Sequence, residues 1–144
     1  MSGIVRAALS GTLMLSATTF ELASMNAPAL AQTLNDLKCT GNPDIPWDEQ
    51  IVGCTNAIKS GRYTGKDLAA AFNGRGTAYR GRGDFDRAIQ DYDQAIKLNP
   101  NDATAFYYRG IANGMRGEPD RAIQDFGQAI KINPNHVAPC IVAA

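Results

Sequence analysis

AAAFNGRGTAYRGRGDFDRAIQDYDQAIKLNPND, residues 69–102, is followed by ATAFYYRGIANGMRGEPDRAIQDFGQAIKINPNH, residues 103–136, and the second stretch rewrites the first at a spacing of 34. Gly76, Tyr79, Gly83, Ala88, Tyr92, Ala95 and Pro100 recur as Gly110, Asn113, Gly117, Ala122, Phe126, Ala129 and Pro134. A fixed period in this range marks a stacked architecture, in which one unit cannot bury its apolar face alone and leans on its neighbour. Such a chain reads as a binding scaffold before it reads as an enzyme.

Each unit carries a large residue four positions before a glycine, Phe72 to Gly76 and Phe106 to Gly110, and a second helix opening near Ala88 or Ala122. This resembles the tetratricopeptide repeat, a 34-residue pattern of aromatic, Leu-Gly, Tyr, Ala, aromatic, Ala and closing Pro. The resemblance implies an all-α fold, a short right-handed α-solenoid of helix-turn-helix hairpins. Gly76 against Ala88, and Gly110 against Ala122, would let the two helices of a unit approach closely. Ala95 and Ala129 would do the same against the next helix, with Tyr92 and Phe126 filling the space between layers. Pro100 and Pro134 end the second helices because proline cannot donate the bond that would continue them. Helices are therefore expected near 47–60, 66–81, 85–98, 102–116 and 119–132.

Two departures from the family pattern stand out. Arg75 and Arg109 replace the leucine before the glycine, and both second helices place an aspartate, Asp91 and Asp125, just before the large aromatic. A half-buried guanidinium needs a carboxylate to offset its desolvation, and the two positions change together in both units. Structural ion pairs, Arg75 with Asp91 and Arg109 with Asp125 or Asp91, are expected; the alternative is that the arginines bind a ligand. Asn113, standing where Tyr79 stands in the first unit, either weakens the second core or leaves room for something.

Upstream, Trp47 to Lys59 aligns with Phe85 to Lys97 at an offset of 38, the period plus a four-residue insertion around Gly61 to Lys66. Residues 47–68 thus read as a lone second helix and linker of a degenerate repeat that caps repeat 69–102, which repeat 103–136 then extends. Residues 32–46, with Gly41, Pro43 and Pro46, cannot form a regular helix. Residues 137–144 form an apolar stub that packs on the last helix, frays, or joins two chains through Cys140.

Residues 1–31 read as a secretory signal peptide: Arg6 and the amino terminus at the start, an apolar run from Ala7 to Phe20, and Ala29-Leu30-Ala31 as a cleavage pattern. The run is shorter than a bilayer span and is closed by Glu21, so no stable membrane insertion is expected after cleavage. Export to the periplasm or beyond fits a disulfide between Cys39 and Cys54, which would pin the irregular segment across the capping helix. The other reading of Cys54 is a small buried residue in the slot held by Tyr92 one unit on.

With 14 basic and 14 acidic residues the chain is formally neutral, a poor basis for nucleic-acid binding, which needs clustered positive charge. A catalytic site has little to build on. His136 is the one histidine; Pro139 separates it from Cys140, and no third group orients the pair. No spacing suits a metal, Gly81-Arg82-Gly83 is too short to cradle phosphate, and Asp84, Asp86, Asp91 and Asp93 point different ways on a helix that Asp84 caps. Neither cofactor nor metal is expected, and no enzymatic activity.

Recognition by surface remains. The resemblance implies that first helices line a concave groove, mapped onto Asn73, Thr77 and Arg80 in the first unit and Thr104, Tyr107, Ile111 and Met115 in the second. Tyr107 stands out as an aromatic anchor for an extended peptide, while Ile111 and Met115 could instead pack on the stub. The paired basic and asparagine residues that clamp a terminal carboxylate are missing, Asn73 alone being similar. A protein or peptide partner is expected; self-association that completes the solenoid is the alternative.

Overall fold

The computed structural model describes Cys39 and residues 42–135. Residues 1–31, most of segment 32–46, His136 and the stub 137–144 with Cys140 lie outside the described residues. Among the described residues five helices follow one another without a strand: α1 (Trp47–Lys59), α2 (Gly65–Gly81), α3 (Phe85–Leu98), α4 (Ala103–Met115) and α5 (Pro119–Ile132). Each packs on its chain neighbour, α1 on α2, α2 on α3, α3 on α4 and α4 on α5, which makes the described chain an all-α solenoid. No described helix is long and apolar enough to cross a membrane.

The ends follow from local chemistry. Ser60 and Arg116, read from sequence as last helical residues, are C-caps, and Asp102 is the N-cap of α4, its side chain accepting from the N–H of Thr104 and Ala105. The turns between paired helices are identical. Gly83 and Gly117 adopt φ of 81° and 82°, the left-handed conformation that only glycine takes without strain. The N–H of Gly83 bonds the carbonyl of Arg80 and that of Asp84 bonds Tyr79; Gly117 to Gly114 and Glu118 to Asn113 repeat the arrangement. These bonds close the carbonyls a helix end leaves orphaned. Asp84 then caps α3 by accepting from the Arg87 N–H.

The core is built largely of alanine. Ala69, Ala95 and Ala105 form one buried cluster, flanked by Phe72, Ile96 and Leu98; Ala88, Tyr92 and Ala112 form a second, flanked by Tyr79, Phe85, Ile89 and Tyr108. Small side chains bring the helices close, and Gly76 marks one of the tight points. A Cβ there would stand 2.9 Å from the Tyr92 ring and 3.2 Å from the Ala88 carbonyl oxygen. Gly110 meets Phe126 and Ala122 in the same way.

In the degenerate unit other residues stand in for the missing first helix. Gln50, aligned with Ala88, is fully buried and donates its amide to the carbonyls of Asn42 and Ile45, both at 2.8 Å. Cys54, aligned with Tyr92, is bonded to Cys39 with Cα atoms 4.6 Å apart. Trp47 lies flat against Gly81, where a Cβ would come within 2.6 Å of its ring.

Candidate functional site

Two side-chain assemblies emerge from this stack, one buried between units and one open along the first helices. The buried one is the arginine fork. Arg75 donates from Nε to Asp91 Oδ2 at 2.8 Å and from Nη2 to Asp91 Oδ1 at 2.7 Å, while Nη1 reaches Thr55 of α1 at 3.2 Å. Arg109 repeats the fork on Asp125, at 3.0 and 2.5 Å, and sends Nη1 to Asp93 of α3 at 2.6 Å. The third contact is thus Asp93, not the Asp91 that the sequence offered. Thr55 and Asp93 occupy aligned positions, so each fork ties three helices and clamps one unit to the one before it.

The electrostatics follow. Hydrogen bonding to Asp91 raises the Arg75 pKa above its ordinary value, against the opposing effect of burial. Burial works against the charge of Arg109 too, and the bonds to Asp125 and Asp93 outweigh it. Both Asp91 and Asp125 are about 4% exposed, and a buried carboxylate persists as an ion only when so paired. These arginines are committed to neighbours within the stack. Beside the second fork lies a small polar cavity of about 280 Å³, lined by residues that include Asp93, Arg109, Asn113 and Arg121.

The open assembly is a groove of about 680 Å³ between α2 and α4. Its wall carries Asn73 and Thr77 from α2, Thr104 and Tyr108 from α4, Tyr63 from the linker, and the carboxylates of Asp67 and Asp102. Ala57, Ala70, Ala71 and Gly74 leave space, and Cys39 enters beside Gly74, its carbonyl oxygen 2.6 Å from where a Cβ would be. Asn73 donates to Asp102 Oδ2 at 2.7 Å, tying α2 to the start of α4. Thr77 and the Tyr92 hydroxyl share a hydrogen bond of 3.3 Å.

Of the seven groove residues expected from sequence, Asn73, Thr77 and Thr104 line this space. Arg80 is not among the lining residues, and its guanidinium lies 5.1 Å from the Tyr108 ring centre. Tyr107, the expected anchor, turns its ring to Phe126 and Tyr108, with centroids 5.8 and 5.5 Å away. Ile111 is half-buried outside the groove and Met115 is exposed. Tyr108, one helical turn beyond Thr104, is the aromatic that the sequence reading missed. Gly74 holds the corresponding place in the first unit, and a large residue paired with a glycine there was the available signal. Among the described residues no group of three or more His, Cys, Asp or Glu is placed to hold a metal ion.

Comparison with known proteins agrees with the fold. Residues 73–137 match the family model described as tetratricopeptide repeat. A solved structure of the second TPR of Spaghetti (RPAP3), bound to the HSP90 peptide SRMEEVD, is similar in fold. Its TM-score is 0.62 at 23% identity, and the match covers 78% of this chain and 99% of that one. The crystal structure of MamA is similar with a TM-score of 0.55 at 25% identity, covering 64% of this chain and 52% of MamA. No curated protein matches the sequence.

Proposed function

Given that the chain is a tetratricopeptide repeat protein, a fold that serves as a protein–protein interaction scaffold, we propose that it is an exported, non-enzymatic scaffold binding an extended partner segment along the α2–α4 groove. The carrying observation is the groove itself: about 680 Å³ of open space walled by alanines, two tyrosine rings and polar side chains on two rigid helices. Concave sites with a few convergent polar groups on fixed elements are where proteins bind ligands. The RPAP3 domain, similar in fold, is seen with a peptide bound, which supports a peptide-like occupant. The Cys39–Cys54 bridge supports export.

Ala70 is exposed and lines the groove without entering the core, so Ala70→Trp fills the site and spares the fold. Affinity for a captured partner is expected to fall at least about tenfold, the loss of roughly 1.4 kcal/mol typical of a blocked hot spot, with helical circular dichroism unchanged. A partner indifferent to Ala70→Trp and Thr104→Trp together would place recognition on another face.

A second reading, self-association, is favoured by the flank of α5. Ile89 and Ile96 pack against clusters that contain Ala112 and Ala105 of α4, but their counterparts Ile123 and Ile130 are 69% and 39% exposed. Light-scattering mass separates the readings: a dimer that Ile123→Lys dissociates supports self-association, and a monomer at high concentration removes it.

A further inference from the structure

Resting on the groove as the binding face, we infer that its occupant is a basic segment, one that sets lysine or arginine against Asp67 and Asp102, and not an acidic tail. The charged side chains among the lining residues are these two carboxylates. Asp102 is held in place: Oδ1 accepts from the N–H of Thr104 and Ala105, and Oδ2 from the Asn73 amide at 2.7 Å. Those partners are neutral dipoles, and none of them brings a positive charge to offset the carboxylate. Asn73 turns its NH₂ to Asp102, which fixes the carboxylate at the groove wall.

The rings at the wall are already engaged within the chain, Tyr108 by Arg80 at 5.1 Å and by Tyr92 at 6.2 Å, and Tyr63 by Arg62 at 5.2 Å, which leaves the two carboxylates as the groups that a guest's charge meets. An acidic segment would instead bring carboxylates against Asp67 and Asp102, and like charges across a partly dry interface oppose binding. SRMEEVD, the peptide bound by the RPAP3 domain, has three acidic residues to one basic and is a poor guest by this argument.

The test is selection of random peptides displayed on phage against the full oxidised chain, with Ala70→Trp as the groove-filled control. Peptides that bind the wild type and not Ala70→Trp are expected to carry an excess of lysine and arginine. Synthetic copies should lose about fivefold in affinity on Asp67→Asn, the upper range for one exposed ion pair, and weaken with added salt. Groove-dependent peptides that are neutral or acidic, or SRMEEVD binding more tightly than its charge-reversed copy, would overturn the inference and leave the groove standing. Peptides that bind Ala70→Trp equally well, or no binder at all, would remove both.

Discussion

The two full repeats share one device and bury it differently. In the first, Asp91 is held by Arg75, and Tyr79 packs beside the buried cluster, with Arg87 5.6 Å from its ring centre. In the second, Asp125 is held by Arg109 and also by the Asn113 amide at 2.9 Å, and Arg109 reaches a second carboxylate, Asp93. Asn113 replaces the tyrosine, and a polar cavity of about 280 Å³ lies beside it; its Oδ1 has no hydrogen-bond partner among the described residues. Both guanidiniums lie over a phenylalanine, Arg75 over Phe72 and Arg109 over Phe106, so the forks differ in the neighbour that follows: an aromatic ring in the first unit and a hydrogen-bonding amide in the second. A buried ion pair tolerates either surrounding as long as its carboxylate stays paired.

The sharpest way to break that comparison is to remove each arginine while keeping its volume. Arg75→Met leaves Asp91, about 4% exposed, without the partner that holds both its oxygens, and is expected to cost roughly 3 to 5 kcal/mol. Arg109→Met leaves Asp125 with the Asn113 bond, and Asp93, whose side chain is 43% exposed, returns to water. Its loss should be smaller by about 1 kcal/mol, the worth of one retained hydrogen bond. Urea unfolding followed by circular dichroism measures both. Equal losses would mean that Asn113 contributes nothing to Asp125, and a larger loss for Arg109→Met would reverse the comparison.

The forks were legible in the sequence because Arg75 with Asp91, and Arg109 with Asp125, depart from the family pattern together. Helix ends were legible within a residue or so because Gly83, Gly117 and the capping aspartates fix them locally. The groove was legible only in part. Tyr107 and Tyr108 are neighbours in sequence, about 100° apart around a helix, and the choice between them depends on how α4 is rotated. Ala105 and Ala112 set that rotation by packing inward, and Tyr108 lies on their stripe at i+3 and i−4, where side chains meet. Tyr107 is carried round to Phe126. Asp93 escaped because it and Asp91 point about 200° apart around one helix and which of them meets Arg109 depends on how the units stack, and Cys39 beside Gly74 because a coil laid across a helix leaves no periodic trace.

The smallest effect separates the two large aromatics, Tyr92 and Phe126, which hold the same place in the two units. Tyr92 is fully buried, and burial raises its pKa above the ordinary value of 10.0, outweighing the Thr77 hydrogen bond and the Arg80 charge that pull it down. The folded state therefore favours the neutral phenol. Its contribution to stability is complete below pH 10, where the unfolded chain is also neutral, and is lost as pH rises from there through the folded pKa, because only the unfolded state gains by ionising. Tyr92→Phe makes the first unit resemble the second. It is expected to cost up to about 1 kcal/mol at neutral pH, through the 3.3 Å bond to Thr77. Above pH 10 the variant should lose stability less steeply than the wild type, so that the gap between them narrows. Urea midpoints for both proteins across the alkaline range decide it. Parallel curves would mean that Tyr92 ionises as readily in the fold as outside it, and that the hydroxyl distinguishing the first repeat is solvated after all.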